Sequence, residues 1–156
     1  MDLGLAGRRA LVTGGSRGIG YAIARTFLQE GAQVTIVGQD AARLEKSVAS
    51  LQAETGRRAT GQRVDLGERG AAERMLEPHR DIDILVNNAG SIPAGNIFDI
   101  DEDRWREAWD AKVFAYIGAT RAAMRHMRDH KRGGVILNVI GIGGEAPQWG
   151  YAAGST

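Results

Sequence analysis

The stretch RALVTGGSRGIGYAIARTFLQEG, residues 9–31, decides the fold. Its opening RALVT (9–13) is a short β-branched apolar run closed by glycines, which predicts a strand. From Ile19 to Gly31 apolar residues recur at helical spacing, which predicts an amphipathic helix. Between them TGGSRGIG (13–20) places Gly14, Gly18 and Gly20 at a strand-to-helix turn. Gly14 permits the tight turn, the missing side chains let an anion approach the backbone, and Gly20 lets the helix pack close to the sheet. The N–H groups that open the helix then face a pyrophosphate, so the turn in this context predicts dinucleotide binding.

Outward from this unit the alternation continues. Residues 32–38 (AQVTIVG), 58–65 (RATGQRVD), 83–90 (DILVNNAG) and 134–141 (GVILNVIG) read as strands. Residues 41–56, 68–79 and a long segment from Asp101 to His130 read as helices. Five apolar strands joined by helices predict an α/β domain with a parallel sheet covered on both faces. Right-handed crossovers make it a Rossmann-type doubly wound sheet of strand order 3-2-1-4-5. Residues 1–156 carry no linker, repeat or low-complexity segment and are expected to form one nucleotide-binding domain.

Composition removes several function classes. The formal net charge is +1 and 43% of the residues are hydrophobic, an ordinary globular balance with no field to draw the chain to nucleic acid or an anionic membrane. There is no cysteine, which excludes disulfides and thiol chemistry and agrees with a cytoplasmic setting. No apolar run is long enough to span a bilayer. His79, His126 and His130 show no metal-ligand spacing with carboxylates, and no metal is expected; RHMRDHKR (125–132) reads as a solvated helix end.

The three-residue gap between the first two glycines, NNAG at 87–90 and Tyr151 beyond the fifth strand together resemble the short-chain dehydrogenase/reductase family. The resemblance covers the whole chain in order. It implies an NAD(P)(H)-dependent oxidoreductase acting on a small carbonyl or alcohol, usually a homodimer or homotetramer joined through the long helix 101–130 and the helix after it. Cofactor contact falls on Gly14, Ser16, Arg17, Gly18, Ile19 and Gly20 in the turn, on Gln39, on Asp65 and Leu66, and on Asn88, Ala89 and Gly90. Asp65 would hold the adenine amino group and Asn88 with its neighbours the adenosine ribose. Simpler readings are a turn for Asn87 and Asn88, and a helix cap for Asp65 with Glu68 three residues on.

The second strand ends at Gly38, where a carboxylate would favour NAD. Arg17 matches the position whose basic residue pairs with a 2′-phosphate and Gln39 adds a hydrogen bond, so NADP(H) is favoured over NAD(H), although Asp40 lies nearby. The family's further strands, next helix and substrate-closing loop follow the tyrosine, so the 156 residues are expected to be a fragment.

The family also pairs its catalytic tyrosine with a lysine four residues on, a serine after the fifth strand and an asparagine in the long helix. Here Tyr151 is retained, while Ser155, Gly141 (or Asn138, by distance from the tyrosine) and Lys112 stand at the other three positions. A phenol in water titrates near 10, so the protonated acid needed for carbonyl reduction dominates at neutral pH even without a neighbouring ammonium. Reduction is therefore favoured over alcohol oxidation. Lys112 lies along a largely apolar stripe with Trp105, Ala108, Trp109, Tyr116 and Ala119 or Thr120, and two readings stand: a relocated cation serving Tyr151, or a lysine snorkelling to solvent. A protein that binds NAD(P) without catalysis, as sensor or scaffold, is the alternative function.

Overall fold

The computed structural model describes residues 3–129 and 133–155; His130 and the two residues after it lie outside them. Strand β1 (Arg9–Thr13) leads into α1 (Gly18–Gln29), then β2 (Gln33–Gly38), α2 (Ala41–Thr55), β3 (Thr60–Arg63), α3 (Ala71–Leu76) and β4 (Ile84–Asn87). The five-stranded sheet is parallel throughout and ordered β3-β2-β1-β4-β5, with β5 at Val135–Asn138, as predicted.

Alternate side chains of each strand feed opposite faces. Ala10 and Val12 of β1, with Val34 and Ile36 of β2, pack under α1 and α2 against Ala24, Leu28, Leu44 and Leu51. Leu11, Val37 and Leu85 face the other way, onto Met75 and Leu76 of α3 and Ala119, Ala123 and Met127 of the last long helix, α5 (Ala115–Asp129). Two apolar layers thus clamp β1, which has sheet neighbours on both sides.

The structure trims several predicted elements. β3 and β5 keep only the residues that pair with a neighbouring strand. α3 begins at Ala71 after Gly70, not at 68, so Asp65 is no helix cap; its carboxylate accepts from the Gly67 amide at 2.9 Å instead. The long helix is not regular. α4 (Glu102–Trp109) passes through a π turn at Asp110–Phe114 into α5 (Ala115–Asp129), with the Ala115 amide donating to Asp110 O. That wider turn shifts the helical phase, so residues on its two sides do not form the single straight stripe read from spacing.

Candidate functional site

The C-terminal ends of β1, β2 and β4 open onto a cleft of about 570 Å³. In the turn after β1, Gly14 has φ of +64°, and a Cβ there would lie 2.9 Å from Asn88 Nδ2. Gly18 has φ of +56° with open space where its side chain would be. Both favour glycine for the left-handed backbone; at Gly14 a side chain would also press on Asn88, and at Gly18 the space stays open. Gly20 works differently from the expectation: a Cβ there would strike the Gly14 carbonyl and the Asn88 amide, so it lets the helix close on the turn itself.

Thr13 and Asn88 fix that turn. Thr13 Oγ donates to Val86 O at 3.2 Å and accepts from the amides of Asn88 and Ala89 at 2.9 and 3.0 Å. Asn88 Nδ2 donates to Thr13 O at 3.0 Å and Gly14 O at 3.3 Å. Asn87 is buried, and its amide reaches Asn138 Oδ1 at 2.8 Å and Thr120 Oγ at 3.1 Å. NNAG is therefore more than a turn: it locks β4 to β1 and β5. Thr13 escaped the sequence reading because its hydroxyl looks like any strand threonine until Asn88 is folded against it.

Every predicted cofactor residue except Gly20 lines the cleft, and so does Lys112. Ser16, Arg17 and Ile19 come from the turn and the start of α1, whose N-terminus carries no side-chain cap. Gln39 Nε2 donates to Asp65 Oδ2 at 2.6 Å, which joins the ends of β2 and β3 at the rim beside Leu66. Asp40, the one carboxylate that argues for NAD, is occupied: it accepts from the Arg43 amide at 3.0 Å as the cap of α2 and pairs with the Arg43 guanidinium at 3.2 Å. Those contacts hold its pKa below the usual carboxylate value, the backbone hydrogen bond most of all. Arg43 lines the cleft with Arg17, a second guanidinium that the sequence showed only as one residue of the helix from 41.

Lys112 sits in the π turn with its stem against Gly90. A Cβ on Gly90, whose φ is +144°, would come within 2.9 Å of Lys112 Cγ. Its ammonium donates to Tyr116 Oη at 3.4 Å and lies 5.0 Å from the centre of that ring. Burial pushes the Lys112 pKa down, and no carboxylate among the described residues pairs with it.

Tyr151 is elsewhere. It does not line the cleft, and Lys112 is directed to Tyr116. The loop carrying Tyr151 is tied to the segment after β4 by Gly95 N–H donating to Gly150 O (2.9 Å) and Ala152 N–H to Gly95 O (3.0 Å). Ser155, at the position of the family's lysine, closes this loop: its Oγ donates to Tyr151 O at 3.0 Å and accepts from the Gln148 amide at 3.2 Å. Trp149 makes an edge-on pair with Phe98 at 6.1 Å, both largely exposed. Gly141 opens a short 3-10 turn and brings no side chain to the site.

A short chain dehydrogenase family model matches residues 8–156. The chain belongs to the short-chain dehydrogenase family. It is 36% identical over 160 residues to the 3-oxoacyl-(acyl-carrier-protein) reductase FabG of Chlamydia pneumoniae, covering 98% of this chain and 64% of that protein. It is 35% identical over 153 residues to human dehydrogenase/reductase SDR family member 4, covering 95% of this chain and 54% of that protein. The L-sorbose reductase of Gluconobacter frateurii, solved with NADPH and L-sorbose, superposes with a TM-score of 0.91 at 32% identity, covering 99% of this chain and 60% of that one. The chain thus spans little more than half to just under two thirds of these relatives. Among the described residues no helix is long and apolar enough to cross a membrane.

Proposed function

We propose that the chain is the nucleotide-binding part of an NADP(H)-dependent reductase of small carbonyl compounds. The observation that carries this reading is the cleft itself: an uncapped helix N-terminus beside two arginines, with the Asp40 carboxylate already paired to Arg43 and Asp65 engaged by Gln39. A site of this volume suits a nucleotide, and the bare Gly18 position leaves room for a diphosphate against the backbone. Arg17 and Arg43 present planar forks suited to a 2′-phosphate, which Gly38, lacking a carboxylate, does not repel. Asp65 and Asn88 fit the adenosine half, with the Gln39–Asp65 hydrogen bond opening to admit it.

NADPH held by these residues would supply a hydride. Tyr151, outside the nucleotide cleft, would serve as proton donor, giving its Oη–H to the carbonyl oxygen and regaining a proton from solvent. With serine in place of lysine at 155, a neutral phenol is better suited to giving a proton than to taking one. Lys112 supplies the positive charge of the site from the long helix. The substrate is a small ketone or aldehyde, as it is for the sorbose reductase that this chain resembles. The family resemblance of the sequence further suggests a homo-oligomer joined through the long helix.

NADPH consumption across ketones, aldehydes and quinones, beside a titration with NADPH and NADH, tests the reading. Turnover of at least one carbonyl and tighter binding of NADPH than NADH are expected. Binding without turnover on the whole panel would make the protein a nucleotide-responsive sensor; tighter NADH binding would overturn the cofactor assignment.

A further inference from the structure

Lys112 is half-buried, and its environment is unusual for a lysine on a helix. Such side chains ordinarily reach water or a carboxylate, because an ammonium without either is costly to bury. Here the stem is pinned across Gly90 and the ammonium donates to Tyr116 Oη. Tyr116 in turn donates its only proton to Val139 O at 3.1 Å, just past the end of β5. This fixes the polarity of the chain: with its proton committed to a carbonyl, the phenol oxygen can only accept from the lysine. Burial pushes the Tyr116 hydroxyl up to about 12, so it stays neutral and leaves the lysine's charge uncancelled. A carboxylate partner would have quenched that charge.

We propose that Tyr116 is a positioning residue that holds the Lys112 ammonium at the cleft wall, where its remaining N–H donors meet the oxygen atoms of a bound dinucleotide. The proposal rests on the nucleotide reading above and adds a role for a tyrosine that reading does not use. Three restraints converge on one flexible side chain: the wall at Gly90, the phenol oxygen, and the π turn that carries Lys112. A lysine so held loses its rotamer freedom before the ligand arrives, which leaves less ordering to be done on binding. Apart from Tyr116 at the ammonium, Gly90 against the stem and Ala89 and Val139 in the same cleft bring no titratable group. The charged residues of the same cleft, Arg17, Asp40, Arg43 and Asp65, do not contribute to the shift of Lys112, whose cause is burial alone.

Two measurements on the 156-residue chain test this. The first follows the titration of Lys112 by NMR with 13Cε-labelled lysine, where three lysines make assignment direct. In the wild type Lys112 titrates below 10.5; in Tyr116→Phe the untethered ammonium turns to water and its value climbs back towards 10.5. The second is NADPH affinity in a double-mutant cycle. Lys112→Met is expected to weaken binding roughly ten-fold and Tyr116→Phe about three- to ten-fold, with the double variant no weaker than Lys112→Met alone. An unmoved titration in Tyr116→Phe, or additive losses in the cycle, overturns the positioning role. A wild type that fails to bind NADPH overturns the nucleotide reading instead, and the titration then decides the hold of Tyr116 on Lys112 by itself.

Discussion

In the turn after β1, Thr13 and Asn88 make five side-chain hydrogen bonds at the sheet edge, whereas the loop after β5 is held around Tyr151 by backbone bonds to Gly95 and one serine hydroxyl. The strands beneath differ in the same sense. All four residues of β4 are buried, while Val135 and Leu137 of β5 are 51% and 44% exposed, and Ile140 and Ile142 beyond it more so. Buried hydrogen bonds in a packed surround are costly to break; exposed loop contacts exchange readily with water. The nucleotide half is therefore prebuilt by its own residues, while the half that bears the proposed acid rests on exposed turns and the backbone bonds to Gly95.

The largest effect that separates the halves is expected from Tyr151→Phe. Removing a general acid should slow carbonyl reduction by roughly 10²- to 10⁴-fold. Melting temperature and NADPH affinity should stay at wild-type values, since Tyr151 Oη takes no part in the turn or the cleft. A parallel fall in nucleotide affinity would show that the loop belongs to the binding scaffold, and the contrast between the two regions would collapse.

Thr13→Val attacks the other side of the comparison. The variant is nearly isosteric but leaves two half-buried amides and the buried Val86 carbonyl without their partner, and about 3 kcal/mol should be lost in urea denaturation. Thr13→Ser, which retains the hydroxyl, should recover most of it. If valine costs no more than serine, the hydrogen bonds at this turn are not what holds it. Arg17→Ala and Arg43→Ala sharpen the picture within the cleft. Each should weaken NADPH binding by roughly ten-fold and leave NADH nearly unchanged; equal losses for both nucleotides would place the guanidiniums on the diphosphate rather than the 2′-phosphate.

What was legible in the sequence follows the same division. Strand order and the glycine turn were readable because period-two and helical patterns act locally, and because Gly14 and Gly18 need backbone angles few other residues adopt. The helix from 101 was readable as an element but not as a geometry: nothing in DAKVF announces a π turn, so the stripe placed Lys112 beside neighbours without showing its partner. The Lys112–Tyr116–Val139 chain depends on where β5 ends relative to α5, a tertiary fact. Thr13 was missed for the same reason, since it gains its role only when Asn88 is brought against it; Arg43 was missed because its place at the cleft depends on how α2 is set against the glycine turn. Ser155 shows the opposite case: its position marked a departure from the family, and only the folded turn shows the hydroxyl closing the loop around Tyr151.

The smallest expected effect lies away from both regions. His79 precedes β4, at the sheet edge opposite the cleft, with Nε2 2.9 Å from Gln62 Oε1. Burial first, and the neighbouring His126 second, hold its pKa below 6.5. His126 Nδ1 is itself buried without a hydrogen-bond partner among the described residues, so it offers His79 no compensating acceptor. Because the folded value is depressed, the unfolded chain takes up the proton first as pH falls. The contribution of neutral His79 is thus fully present above about 6.5 and is lost as pH drops from there through the folded value. Urea midpoints should fall between pH 7.5 and 5.5 in the wild type and fall less in His79→Gln, which keeps a neutral polar group beside Gln62. The carboxylates Asp40 and Glu73, held low by Arg43 and Arg121, lose their contribution only at more acidic pH and do not confuse this window. NADPH affinity should show no His79-dependent change over the same range, because the histidine sits at the far end of the strands. An acid limb in binding that disappears with His79→Gln would mean that the two ends of the sheet are coupled, and that the nucleotide half is less rigid than its hydrogen bonds imply.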